Sequence, residues 1–218
     1  MAAPEKRSSL VTPQRVRVHL QSRFNPIRSL TPELLSRQID DFRVGRLREF
    51  ALTADAIEER DDIIKSVAPK RKKAVSRYGW EIVTVAELGE GEEAQAQRHK
   101  EALEWFYNNL ECTNAIDLNE RGSVKLLVRQ MMDAIGKRYS VHEIVWRPQK
   151  GGRLTAEMRH VPLWFFENTT GSLRYLQQEF DLYGQPRDEG GWLVTVGDGI
   201  MVACAVAYIY KSLPLKDW

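Results

Sequence analysis

Apolar residues return along this chain with two different periods. Leu35, Ile39 and Phe42 recur every three or four positions, and so do Val124, Leu127, Val128, Met131 and Ile135. That spacing lays an apolar stripe along one face of a helix. Residues 139–147 change the pattern, being dense in β-branched and aromatic side chains. Val141 and Val145 face one way and Ile144 and Trp146 the other, so both faces of this strand carry apolar groups. Such a strand is covered on both sides and belongs at the centre of a domain. Turn chemistry over 148–152 and a return over 154–161 complete a predicted hairpin.

The flanking elements follow from local signals. A helix starts at Thr31 as N-cap, with Pro32 at its first position, Glu33 in its first turn and Gly45 at its end. Leu47, Phe50 and Ala54 predict a short second helix. Ile57, Ile64, Ala68 and Val75 predict a longer one over 55–77, which Pro69 should kink or split. Residues 78–85, with Trp80, Ile82 and Val83, read as a strand. Leu103, Phe106, Tyr107 and Leu110 mark another helix face. Asp117 or Asn119 is expected to cap the helix that carries Val124 to Ile135, and Gly136 to end it. Beyond Pro162, residues 163–166 are expected to extend the sheet, 168–171 to turn, and 173–176 to return. Residues 184–191 form a polar loop, 192–196 a strand, and Gly197-Asp198-Gly199 opens a last helix. The sum is an α+β fold: N-terminal helices packed on a mainly antiparallel sheet, with a buried C-terminal helix. Residues 1–28 read as a flexible basic arm and 29–218 as a single domain.

Composition narrows the class. Hydrophobic content of 43% and charged content of 28% are those of a globular chain, and a net charge of +2 makes no overall electrostatic case for nucleic acid. Cys112 and Cys204 stand alone, which suggests a reducing compartment rather than a disulfide framework or zinc site. The basic N-terminus lacks the apolar core of a signal peptide, and the apolar run over 200–210 is far short of the ~20 residues that span a bilayer. The expectation is a soluble intracellular chain with no membrane partner.

Two positive features remain. The arm carries Lys6, Arg7, Arg15, Arg17, Arg23 and Arg28 against one acid, Glu5. Lys70, Arg71, Lys72 and Lys73 form the densest cationic run. Each reads either as a solvated face or as a contact to DNA or a neighbouring subunit.

Reaction chemistry does not emerge. Gly197-x-Gly199 lacks the third glycine of a dinucleotide fingerprint, since position 202 is Val. His142-Glu143 begins like a zinc-protease motif, but position 146 is Trp. His19, His99, His142 and His160 share no ligand spacing, though His142 and His160 face each other across the hairpin. Glu143, a carboxylate within an apolar strand, calls for a partner, and Arg159 on the opposing strand supplies a structural ion pair. No catalytic residue, cofactor or metal is assigned. A small hydrolase would need a polar constellation that these motifs do not provide.

In order along the chain, Glu59-Arg60-Asp61, Arg71-Lys72-Lys73-Ala74-Val75 and Trp80-Glu81-Ile82 are followed by Tyr139-Ser140-Val141-His142-Glu143-Ile144-Val145-Trp146. Then come Arg159-His160-Val161-Pro162, Gly171-Ser172-Leu173-Arg174 and the closing Tyr210-Lys211-Ser212-Leu213-Pro214-Leu215-Lys216-Asp217-Trp218. These blocks resemble the N-terminal half of the Mu-like bacteriophage portal protein family, over roughly residue 30 to the end. The resemblance implies a wing-like region of a structural subunit. Such subunits form a ring, typically of twelve copies, at one capsid vertex of the virion, assembled in the host cytoplasm. It implies passage of double-stranded DNA and contacts to terminase, capsid and head–tail connector proteins. Catalysis would belong to the terminase. Family members continue past the Lys-Asp-Trp block into stem and clip regions, so the expectation is a truncated or split portal, monomeric or heterogeneous in solution. The alternative is a nucleic-acid-binding accessory protein using the basic arm and Lys70, Arg71, Lys72 and Lys73.

Overall fold

The structure, a computed structural model, describes residues 26–85, 89, 91–178 and 181–216. Residues 1–25 of the basic arm, and Asp217 and Trp218 of the closing block, lie outside the described residues. Helix α1 (Pro32–Arg43) starts as its sequence dictates: Thr31 is extended, and its Oγ1 accepts the Leu34 N–H at 3.2 Å. Past its end Gly45 turns the chain at φ +93°, a conformation that costs other residues strain. Helix α2 (Arg48–Arg60) buries Phe50, Ala51, Ala54 and Ile57. Residues 26–28, grouped by sequence with the arm, form part of a turn that sets Ile27 in the core beside Leu30.

The long helix expected over 55–77 is instead two helices, and the break falls at Asp61 rather than Pro69. Asp61 is extended, and its Oδ1 accepts the Ile63 and Ile64 N–H groups at 3.0 and 2.9 Å. Those two bonds satisfy donors that a helix start otherwise leaves unpaired. One residue therefore ends α2 and caps α3 (Asp62–Ser76), which runs through Pro69 without interruption. The strand expected over 78–85 is absent. Val83 and Val85 are 72% and 71% exposed, and Trp80 packs its ring against Tyr107 at 5.5 Å. Strand propensity needs a partner edge, and no described strand offers one here. Helix α4 (Glu92–Asn108) follows.

The predicted hairpin stands. Strands β3 (Tyr139–Pro148) and β4 (Leu154–Val161) pair antiparallel, with Val141 opposite Val161 and Pro148 opposite Leu154. Strand β7 (Trp192–Val196) pairs with the other edge of β3. Two strands escaped the sequence pattern: β1 (Glu111–Asn114) runs parallel to β4, and β2 (Arg121–Gly122) closes that edge. The order is β2-β1-β4-β3-β7. Residues 163–166 leave this sheet, contrary to expectation. After Pro162 they make a 3-10 turn, and β5 (Phe166–Glu167) pairs with β6 (Arg174–Tyr175) in a separate ribbon.

The helix expected to end at Gly136 is divided at Met132 into α5 (Val124–Met131) and α6 (Asp133–Lys137). Ser123 occupies the N-cap position, while Asp117 instead closes a turn by accepting the Asn119 N–H at 2.9 Å. Gly136 lies inside α6, where a Cβ would stand 3.3 Å from Met201 of α7 (Met201–Lys216), so close packing accounts for this glycine. Arg138, at φ 73°, makes the exit into β3.

The sheet faces two cores. Ile144, Trp146, Ala156, Met158 and Cys112 meet Leu127, Val124 and Phe106 from α5 and α4. Val141 and Val161 join α1, α2, α7 and the aromatic group Trp164, Phe165, Phe166 and Tyr175. Burying both faces explains why β3 carries apolar side chains on each.

Candidate functional site

Where the start of β3 and the end of β4 meet the helices, charged side chains gather from distant parts of the sequence. Lys137 lies 2.5 Å from Asp55, 3.2 Å from Asp133 and 3.4 Å from Glu58. Lys72 pairs with Glu58 at 2.6 Å and also with Asp133. His160 Nε2 sits 3.7 Å from Asp133, and its ring centroid is 5.1 Å from that of His142. His142 Nε2 is 3.2 Å from Gln130 Oε1, the atom to which Cys112 Sγ also donates at 2.9 Å. With the proton on Nε2, His142 donates that bond and leaves Nδ1 as an unpartnered acceptor among the described residues.

Charge balance decides what this cluster can do. Burial pushes the Asp133 carboxyl up, but Lys137, Lys72 and His160 outweigh it and hold the group well below the usual carboxylate range. Burial lowers both lysines, yet the surrounding carboxylates win and raise them, Lys137 furthest. Burial keeps Asp55 above its ordinary value despite Lys137, and lowers both His142 and His160. The Cys112 thiol is pushed up to about 12, first by burial and then by Glu120. Neither a neutral amine nor a thiolate is therefore at hand near neutral pH. The cluster is a mutually neutralising brace joining α2, α3, α6 and β4. Among the described residues no group of His, Cys, Asp and Glu has the arrangement to hold a metal ion. The adjoining cleft, about 1080 Å³, runs from Leu34 and Arg37 past these ion pairs to Trp164.

The basic run is divided by the fold. Lys70, Arg71 and Lys73 are exposed on α3, whereas Lys72 turns inward with its side chain 20% exposed. Helical geometry separates it from its neighbours, a split that sequence adjacency conceals. Glu143 and Arg159 oppose each other in the β3–β4 register, and Glu143 is fully buried. On the same sheet face Arg159 also donates to Glu157 at 2.9 Å. Glu157 in turn accepts Thr113 Oγ1 at 2.8 Å and pairs with Arg147. Gly197 owes its identity to packing, since a Cβ there would stand 2.5 Å from the Ala134 carbonyl. Sequence reasoning missed the brace altogether. Its one advance signal was the facing pair His142 and His160.

Comparison with known families adds the deciding observation. The profile of the family described as the portal protein of Mu bacteriophage matches residues 52–218. The chain belongs to this family. The Mu portal match runs from within α2 to residue 218, including the brace, the hairpin and the aromatic ribbon. No curated protein matches the chain. Membership carries a coarse role with it: a structural portal protein of a bacteriophage. No helix among the described residues is long and apolar enough to cross a membrane.

Proposed function

We propose that this chain is a ring subunit at the portal vertex of a phage head, serving DNA packaging and ejection. The observation that carries this reading is the family match over residues 52–218. The brace is consistent with it, because its lysines and carboxylates are paired with one another. In this role the body of the domain is held against copies of itself. Capsid, terminase and head–tail connector proteins dock around the ring, and double-stranded DNA passes through it. Assembly takes place in the host cytoplasm and ends in the virion. Quantitative mass spectrometry of purified heads tests the role. A few copies per head, far below the shell protein, is the expected result; a copy number matching the shell, or none, would overturn it.

A second reading rests on Lys70, Arg71 and Lys73, three exposed cations on one helix surface. As a nucleic-acid-binding accessory protein, the chain would use them with the basic arm against phosphates. Binding of duplex DNA by the isolated chain, weakening steeply with salt, would favour this reading.

A further inference from the structure

Helix α3 is attached to the domain in an unusual way. None of its residues is buried, and Ile64 is its one apolar side chain packed on the main core. Ile63, Val67 and Val75 face outward, Ile63 at 61% exposure. A helix with so little apolar burial gains little from the hydrophobic effect, which ordinarily holds surface helices in place.

The helix lies close along α2 and α5, and charge rather than buried apolar area ties it there. Lys72 reaches inward to Glu58 on α2 and Asp133 on α6. The groups facing it are Glu58 and Asp55 from α2, Asp133 and Lys137 from α6, and His160 from β4. At the other end Lys211 of α7 donates to Asp61 at 3.1 Å and also pairs with Asp62. That contact is more exposed than the one at Lys72, with the Lys211 side chain at 44%.

The connections at both ends permit movement. Asp61 is a single extended residue between two helices, the kind of position that absorbs a change in backbone angle. Beyond Ser76, residues 77–79 belong to no helix or strand, and Gly79 has no atom within 4 Å of where its Cβ would lie. Trp80 then anchors the chain on Tyr107. Fully extended, residues 77–79 reach at most roughly 10 Å, which bounds how far the end of α3 can stand from Trp80 while Trp80 stays in place.

We propose that α3 is a hinged arm, latched to the body by Lys72, that swings out about Asp61 when the latch is opened. Release exposes Glu58 and Asp133 and frees the inner face of α3, Ile64 included, while the hairpin and the rest of both cores keep their packing. The arm thus gives the domain a second shape without unfolding it.

Amide hydrogen exchange of the full chain, read by mass spectrometry, tests this. Peptides from 62–76 report the arm and peptides from 139–161 report the sheet. Raising salt from low to about 0.5 M screens the latch and should accelerate exchange in 62–76 while leaving 139–161 unchanged. Lys72→Met should give at least roughly tenfold faster exchange in 62–76 at low salt, again without change in 139–161. Lys72→Arg should restore protection, and Lys70→Met should alter nothing. Equal acceleration in both regions would show Lys72 to be an ordinary stabilising group and would overturn the arm. So would exchange in 62–76 that ignores both salt and Lys72→Met.

Discussion

The Gly45 carbonyl accepts the Asn168 N–H at 2.7 Å, and a Cβ on Gly45 would stand 2.4 Å from the Asn168 carbonyl carbon. This contact ties the exit of α1 to the turn between β5 and β6. Gly45→Ala must meet both the strain of φ +93° and a backbone collision, so it should cost about 2–4 kcal/mol in urea unfolding. Gly171 supplies the comparison: φ is +81°, with nothing within 4 Å. Gly171→Ala should cost only about 1–2 kcal/mol, from conformation alone.

Burial lowers the pKa values of His142 and His160 in the folded chain. The folded state therefore binds fewer protons than the unfolded state at mildly acid pH. Their contribution to stability is present above the unfolded value of about 6.5 and is lost as pH falls toward the lowered folded values. The urea midpoint should accordingly fall between about pH 7.5 and about pH 5.5. The double variant His142→Gln, His160→Gln should flatten that dependence.

Asp133 is shared by Lys72, Lys137 and His160. Asp133→Asn removes the partner shared by the half-buried Lys72 and Lys137, which keep Glu58 and Asp55, and should cost about 2–3 kcal/mol. Lys73→Gln on the exposed side of α3 should stay within about 0.5 kcal/mol. Parallel denaturation curves would check the contrast.

If the exposed cations touch DNA, replacing Lys70, Arg71 and Lys73 together by Gln should reduce the slope of log affinity against log salt by up to about 3. Filter binding over a salt series reads this directly. An unchanged slope would assign these residues to solvent.

Local chemistry was legible wherever one short segment decides its own shape. Thr31-Pro32-Glu33 announced α1, and the β-branched run with its glycine turn announced the hairpin. The failures are places where partners far away in sequence decide. Glu111-Cys112-Thr113-Asn114 has no apolar alternation, yet β4 holds it as a parallel strand. Residues 78–85 have strand composition, but no described strand accepts them. Pro69 looked like the break, while the Asp61 side chain makes a better one by capping the next helix. The brace draws on positions 55, 58, 72, 133, 137 and 160, a set assembled only by tertiary packing.

The proposed ring subunit would occupy a single vertex of each head. Immunogold labelling of intact heads, using an antibody raised against the purified chain, tests it most directly. Gold should appear at one vertex of each head. Label spread over the whole shell, or heads that carry none, would contradict it.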